Sequence, residues 1–315
     1  MKTIMKPIRF ITNLYNKLTT CGKALVIIVI MLLFVILFNQ HKNQGREGFE
    51  DSKTFEFKEG PELYDDFYAN IYDHLVFNDV KNEYEIGEII NQTKPTSESI
   101  ILDVGCGTGN HVASLNRAGY KTVGLDNSQA MIKKAKENYP DFDFVQGDAL
   151  NAMEFQPSSF THIICMYFTL YYFKDKMLFF NNSIKWLMPG GYLVVHVVDR
   201  DEFDPILPPA NPLLMLTPQR YAKERITTSS VVFDKFKYNA NFEYDKKNNS
   251  AKFIEKFKNK KTGKVFRKQE HKFYMEPESV IISEAKDAGF IVLGKIDLIR
   301  SGYEYQYLYV LQKPE

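Results

Sequence analysis

Cysteine is scarce in this chain, with three residues in 315, at positions 21, 106 and 165. That scatter gives no disulfide framework and no metal-ligand spacing, and it fits a reducing compartment. An excess of charge of one sign is also missing. Forty Lys and Arg against 39 Asp and Glu leave a formal net charge of +1, so the balance implies no partner and any basic surface must be local. Long apolar runs are reduced to one, Ala24 to Phe38. The 44% hydrophobic content is ordinary for a globular protein, and the length suits one large or two small domains.

The apolar run extends to Gly22 because a lysine at its end, Lys23, snorkels. Residues 22–38 then sit at the short edge of a membrane span. A cleaved signal peptide fits poorly, since the basic amino segment is long and Asn-Gln-His-Lys, not a small-x-small site, follows Phe38. All faces are apolar, which disfavours a core helix. The expectation is an N-terminal segment 1–40 carrying a single uncleaved membrane anchor, then a polar linker over 41–60 containing Gly45, Gly48 and Gly60. Lys2, Lys6, Arg9, Lys17 and Lys23 place the amino end in the cytoplasm and the remainder of the chain on the far side.

Residues 101–110, Ile-Leu-Asp-Val-Gly-Cys-Gly-Thr-Gly-Asn, read as a buried strand that breaks into a glycine-rich turn and then a helix. Glycine there reaches positive φ and lets the backbone approach a ligand. The following helix would aim unpaired amide groups at a carboxylate or phosphate. A second strand ends at Asp126, 17 positions after Gly109, about where such folds present a carboxylate to ribose hydroxyls. Asn127-Ser128 caps a helix over 129–138, and a third strand over 142–146 runs into Gly147-Asp148-Ala149.

The stretches LDVGCGTGN (102–110), GLDNSQAMIKKA (124–135), FVQGDAL (144–150) and LMPGGYLVV (187–195) together resemble the class I S-adenosylmethionine-dependent methyltransferases. The resemblance spans roughly Leu63 to Leu311. It implies an α/β, Rossmann-like sheet of seven mostly parallel strands with helices on both faces, and S-adenosyl-L-methionine as the cofactor. By the same resemblance Asp103 with Gly105, Cys106, Gly107 and Gly109 holds the methionine part, Asp126 the ribose, and Asp148 with Ala149 the adenine, and Asn127 and Met131 also belong to the cofactor-binding set. Such an enzyme must also meet a donor made in the cytosol, which conflicts with the orientation drawn from the basic residues and leaves the side of the domain open.

Within a domain spanning 61–315, residues 61–98 read as two lid helices. Tyr64, Tyr68 and Tyr72 recur at four-residue spacing on one face. Packing on the core is the plain reading, and the resemblance makes Tyr68 and Tyr72 lid candidates over the donor. A fourth strand over 160–168 brings Met166 and Tyr167 to the donor or acceptor. No Asn/Asp-Pro-Pro-Tyr follows it, and the Met-Tyr-Phe-Thr turn has no acidic residue, which removes base-amine and metal-dependent catechol subfamilies. His162 reads as a packing or surface residue. A helix from Tyr171 through Leu187 ends at Pro189-Gly190-Gly191, and a strand over 192–198 carries His196, a satisfied core histidine. Asp199 and Arg200 at its end face the substrate crevice.

Residues 201–275 are the variable part. A proline-rich loop to Pro218 precedes strand-like runs over 230–244, 251–259 and 264–275. Phe236, Tyr238, Ala240, Phe242 and Tyr244 alternate, so one face of this antiparallel β insert is buried. The insert resembles that of glycine- and sarcosine-type N-methyltransferases. It also carries eleven Lys and Arg between Lys246 and Lys272 against Glu255 and Glu270. The plain reading is a solvated face with lysines guarding edge strands; contact with RNA or an anionic membrane is the sharper one. Aromatics on the buried side count against RNA. The expected function is methyl transfer to an unidentified small molecule, with no metal and no assigned base. Two alternatives stand beside it: a membrane-tethered donor-binding scaffold, and an RNA or protein methyltransferase using the basic insert.

Overall fold

The computed structural model describes residues 55–210 and 222–315, with Thr19, Gly22, Lys23, Val26, Val29, Met31 and Gln219 besides. The chain divides into residues 1–48 and 49–315. Most of the expected anchor over 22–38 lies outside the described residues. Among the described residues no helix is long and apolar enough to cross a membrane.

In the second unit, β1 (Glu56–Glu59) precedes two helices, α1 (Asp66–Val76) and α2 (Asp79–Thr93). Each starts on a side-chain cap: Asp65 accepts from the Tyr68 amide and Asn78 from the Lys81 amide, satisfying donors that a helix start leaves open. Then come β2 (Ile100–Val104), α3 (Asn110–Arg117), β3 (Lys121–Asp126), α4 (Gln129–Asn138), β4 (Asp143–Gln146), β5 (Phe160–Cys165), α5 (Thr169–Tyr172), α6 (Lys176–Trp186) and β6 (Leu187–Val198). The insert supplies β7 (Thr228–Val232), β8 (Phe236–Asp245), β9 (Ser250–Asn259) and β10 (Val265–Tyr274). Helix α7 (Glu278–Asp287) and strands β11 (Ile291–Asp297) and β12 (Gln306–Gln312) close the fold.

The main sheet has seven strands in the order β11-β12-β6-β5-β2-β3-β4. Six strands point the same way, and β12 runs antiparallel to both its neighbours. Alternate residues of β2, β5 and β6 split between two cores. Leu102, Val104, Ile163, Cys165, Leu193 and Val195 pack with Phe179, Phe180 and Trp186 of α6 and Ile281 and Ala285 of α7. On the other face Ile101, Ile164, Met166 and Val194 meet Ile86 and Ile89 of α2 and Leu115 of α3. Both sheet faces are thus covered, the situation in which parallel strands read as near-continuous apolar runs.

A second sheet, ordered β1-β10-β9-β8-β7, contains the insert. Its buried face carries Phe236, Tyr238, Ala240 and Phe242, as the alternation predicts, and packs on Leu63, Tyr68, Ile71 and Leu75 of the amino-terminal helices.

Four details differ from the sequence reading. Leu187 to Gly191, read as the end of a helix and its breaker, is the first part of β6, and the helix stops at Trp186. Glu56–Glu59, read as the end of the linker, adds a parallel edge strand to β10; a polar strand is expected at an edge, so its composition hid it. The expected run over 230–244 is two strands, turning where Phe233 N donates to Phe236 O at 3.0 Å. The helix expected from Tyr171 breaks after Tyr172 and restarts at Asp175, whose side chain accepts from Leu178 N at 2.8 Å.

Candidate active site

Strand order reverses between β2 and β5, the point where ligands collect beyond the carboxyl ends of such strands. The glycine turn lies there, with φ of +73° at Gly105, +53° at Gly107 and +90° at Gly109, a region that L residues avoid. The Asp126 carboxylate organises the turn by accepting from Gly107 N at 3.0 Å and Ser128 N at 2.9 Å. Burial pushes the Asp126 carboxyl up and those two amides oppose it.

Asp103 sits at the floor, 1% exposed, and its Oδ2 has no hydrogen-bond partner. Burial first, then the carboxylates of Asp126 and Glu85, push its pKa up to about 6 against the pull of His111. A buried, unpartnered carboxylate oxygen is costly and needs explaining. Beside it, buried Glu85 pairs with Lys81 at 2.5 Å and His111 at 3.2 Å. Burial raises the Glu85 carboxyl, but Lys81 and His111 outweigh it and bring it to about 2.

Helix α1 is fastened over the turn. Asp73 Oδ1 accepts from Thr108 Oγ1 at 2.5 Å and Asn110 Nδ2 at 3.1 Å. A Cβ placed on Gly107 would lie 3.6 Å from the Tyr72 ring, and one on Gly105 would collide with Thr169 at 2.4 Å. Tyr72 and Thr169 also line an aromatic cleft enclosing roughly 740 Å³, part of it open to solvent. The glycine turn and the cleft therefore share walls.

The cleft draws Tyr64, Tyr68 and Tyr72 from the amino-terminal region, Tyr167, Phe168 and Tyr172 from the segment after β5, and Phe242, Phe253, His271 and Phe273 from the insert. Its described lining contains no Lys or Arg and one carboxylate, Asp204. Tyr167 has φ +52°, a strained conformation for a bulky residue of the kind that clusters at functional sites.

Beneath the cleft lies a chain of polar groups. Tyr64 Oη meets Tyr172 Oη at 2.7 Å, Tyr172 Oη meets His271 Nδ1, and His271 Nε2 meets Glu255 Oε2 at 2.7 Å. Glu255 is fully buried and also accepts from Tyr68 Oη at 2.9 Å, Tyr238 Oη at 2.5 Å and Gln269 Nε2. Burial raises its carboxyl, yet His271 and the other donors outweigh that and hold it below the usual range.

Of the residues singled out by sequence, the structure gathers Asp103, Gly105, Cys106, Gly107, Gly109 and Asp126 at the turn, and Tyr68, Tyr72 and Tyr167 at the cleft. Met131 is buried beneath α1, and Asn127 is exposed, with its carbonyl accepting from Gln146. Asp148 is exposed and caps its own turn through Leu150 N at 2.9 Å, next to buried Ala149. Met166 is turned to the α2 side of the sheet. Asp199 and Arg200 lie outside the cleft's described lining. Asp199 accepts from Asp201 N, while Arg200 binds Asn249 and the Met275 carbonyl. His196, a core histidine as expected, is held by the Tyr167 carbonyl and Gln306. Tyr172, His271, Glu255 and Asp73 went unread in the sequence, and only the Tyr64 spacing pointed their way.

Residues 101–191 match the family described as "Methyltransferase domain". The chain is 34% identical over 101 residues to trans-aconitate 2-methyltransferase of Escherichia coli strain 55989, a match covering 31% of this chain and 39% of that protein. A second such enzyme, from Yersinia pestis, is 32% identical over 106 residues, covering 33% and 40%. The chain thus spans well under half the length of these curated relatives. Among solved structures, the CcbJ methyltransferase of Streptomyces caelestis superposes with a TM-score of 0.60 at 16% identity, covering 80% of this chain and 98% of that one. The sugar N-methyltransferase KedS8 of Streptoalloteichus does so at 0.58 and 18%, covering 86% and 100%. Residues 101–191 thus carry a methyltransferase domain, and the fold around them is that of solved S-adenosylmethionine-dependent methyltransferases. S-adenosylmethionine is the cofactor of this domain, and the site fits it. The unpartnered Asp103 oxygen offers an acceptor to the amino group of the methionine part.

Proposed function

We propose that this protein transfers a methyl group from S-adenosylmethionine to a small-molecule acceptor lying in the aromatic cleft. The observation that carries this reading is the shared wall: Tyr72 and Thr169 belong to the cleft and contact the glycine turn. In the proposal Asp103 and Gly105–Gly109 receive the methionine part, Asp126 the ribose and Asp148 with Ala149 the adenine. The donor supplies an electrophilic methyl group on a sulfonium. The protein's share is to hold an acceptor atom in line with that methyl in a site shielded from water, where placement alone lowers the barrier by several kcal/mol, up to roughly 10.

Titration calorimetry with S-adenosylmethionine, followed by transfer of its labelled methyl into metabolite extract, tests the reading. Saturable binding with label in a small-molecule fraction is expected; binding with no label in any fraction would leave a donor-binding scaffold instead. Residues 22–38 are proposed as a single-pass tether, so alkaline carbonate should leave the protein with the membranes, and release into the supernatant would refute that.

A further inference from the structure

We infer that the acceptor is a cationic amine, and that Tyr172 and His271, aligned by Glu255, remove its proton before methyl transfer. The inference rests on the methyltransferase reading above and deepens it on the acceptor side.

The hydrogen-bond directions follow from one fact. An ionised carboxylate only accepts, so His271 Nε2 must donate to Glu255 across their 2.7 Å contact. In the inferred resting state the ring is neutral, so Nδ1 is the acceptor and Tyr172 gives it the hydroxyl proton. With that proton committed, Tyr64 must donate to Tyr172 across 2.7 Å. Every donor in the row points toward Glu255, and the cleft end retains only lone pairs. A ligand that touches Tyr64 or Tyr172 there meets acceptors and must bring a donor of its own.

Charge selects which donor. Aromatic faces attract cations and repel anions, and the described lining has a carboxylate in Asp204, with Glu255 behind it, and no Lys or Arg. Arg200 is turned to Asn249 and the Met275 carbonyl. Arg225 donates to the carbonyls of Arg200 and Phe203 and lies 4.7 Å from the Phe203 ring and 5.6 Å from that of Phe242, while Lys81 lies 5.3 Å from the Tyr167 ring and 5.2 Å from that of Tyr303, so protein cations already rest on part of this aromatic wall. A protonated amine satisfies the lone pairs and the rings together.

A protonated amine has no lone pair with which to attack, so a proton must leave first. The ammonium proton passes to the Tyr172 oxygen as the Tyr172 hydroxyl proton passes to His271 Nδ1, and the positive charge then rests on the imidazolium beside Glu255. The freed nitrogen lone pair forms the N–C bond as the methyl-to-sulfur bond breaks, and that electron pair stays on the sulfur of the departing thioether. The product leaves as a methylammonium, and His271 returns its proton through Tyr172 to solvent. The groups facing His271 are Glu255, Tyr64, Tyr68 and Tyr172, with Phe253 and Phe273 as its apolar neighbours. Tyr172 and His271 line the cleft; Glu255 acts through His271 and is a positioning residue.

Two measurements on the full chain test this, with 2-phenylethylammonium and 3-phenylpropanoate as matched probes of opposite charge. The first is binding by calorimetry in the presence of S-adenosylhomocysteine, which needs no turnover. The ammonium is expected to bind at least about tenfold more tightly, as one contact difference of 1.4 kcal/mol gives; equal or tighter binding of the carboxylate, or binding of neither, overturns the inference. The second is label transfer to 2-phenylethylamine from pH 7 to pH 10 by wild type, His271→Asn and Tyr172→Phe. The Tyr172 variant leaves the Glu255–His271 pair whole and so guards against a folding failure. Loss of a positioned base should lower kcat/KM about 100-fold at pH 7. Near pH 10, close to the lysine-like pKa of about 10.4, solvent supplies the free amine and the deficit should shrink to under about tenfold. A deficit constant with pH marks a structural role and refutes the relay. Should wild type label neither probe, the binding arm decides alone. Failure to bind the donor would instead refute the underlying methyltransferase reading.

Discussion

Replacing Asp103 by Asn should have opposite effects on the empty protein and on donor binding. Burial raises the Asp103 carboxyl to about 6, against about 3.9 in an unfolded chain, so the ionised form counts against folding by roughly 3 kcal/mol. The folded pKa lies above the unfolded one. The penalty is therefore absent below about pH 4 and full above about pH 6, with roughly half of it arriving between pH 5 and pH 8. An amide in that place does not titrate, and whatever packing cost it brings is common to both pH values. In urea unfolding, the stability of Asp103→Asn relative to wild type should thus improve by about 1 kcal/mol from pH 5 to pH 8. Donor affinity should move the other way, because a charged hydrogen bond to the free Oδ2 contributes about 1.5–3 kcal/mol, a loss of roughly 10- to 150-fold by calorimetry at pH 8. A relative stability that stays flat with pH, or undiminished donor affinity, would refute the assignment of that oxygen to the donor's amino group.

Three further substitutions test other links. Gly109→Ala forces a Cβ to within 2.7 Å of Phe144 at φ +90°, whereas Gly119→Ala meets nothing within 4 Å at φ +95°; thermal unfolding should show about 1 kcal/mol lost at Gly119 and about 1–3 kcal/mol more at Gly109. Arg267 is 1% exposed and donates to Asp65, the Leu63 carbonyl and Gln269, so Arg267→Met should cost about 3 kcal/mol in chemical denaturation, and Arg267→Lys, lacking the planar fork, should recover less than half. Tyr238→Phe removes one of the four donors on Glu255 and should destabilise by about 1.5–3 kcal/mol, with donor affinity unchanged.

Legibility followed the range of the interactions. The donor half was readable because it is local: Asp103, the glycines and Asp126 lie on adjacent strands of one βαβ unit, and each strand announces itself by apolar content and a glycine break. Alternation in β8 was equally plain. Arg267 was misleading. Counted with ten lysines as part of a basic face, it is a buried side chain ordering the amino-terminal segment, and Glu255, counted as an offset to that face, is the buried centre of the polar chain. Composition weighs a charge without knowing which side of a strand it occupies. Period-two register places Glu255 and Phe257 on one face, and Gln269, His271 and Phe273 likewise, so the signal existed. Reading it required trusting the alternation over the charge.

The acceptor half has a different origin in the chain. Tyr172 is 108 positions from Tyr64 and 99 from His271, and the contacts that join them cross from the amino-terminal segment to the loop after β5 and on to the insert. Identity to the curated relatives is confined to about a third of the chain, and the family match ends at residue 191. Such a match tests the donor half and one of the three acceptor segments. Selection for the acceptor must therefore be argued from Tyr64, Tyr172, His271 and Glu255 themselves, because those residues lie where the likeness to the relatives either ends or says nothing of side-chain chemistry.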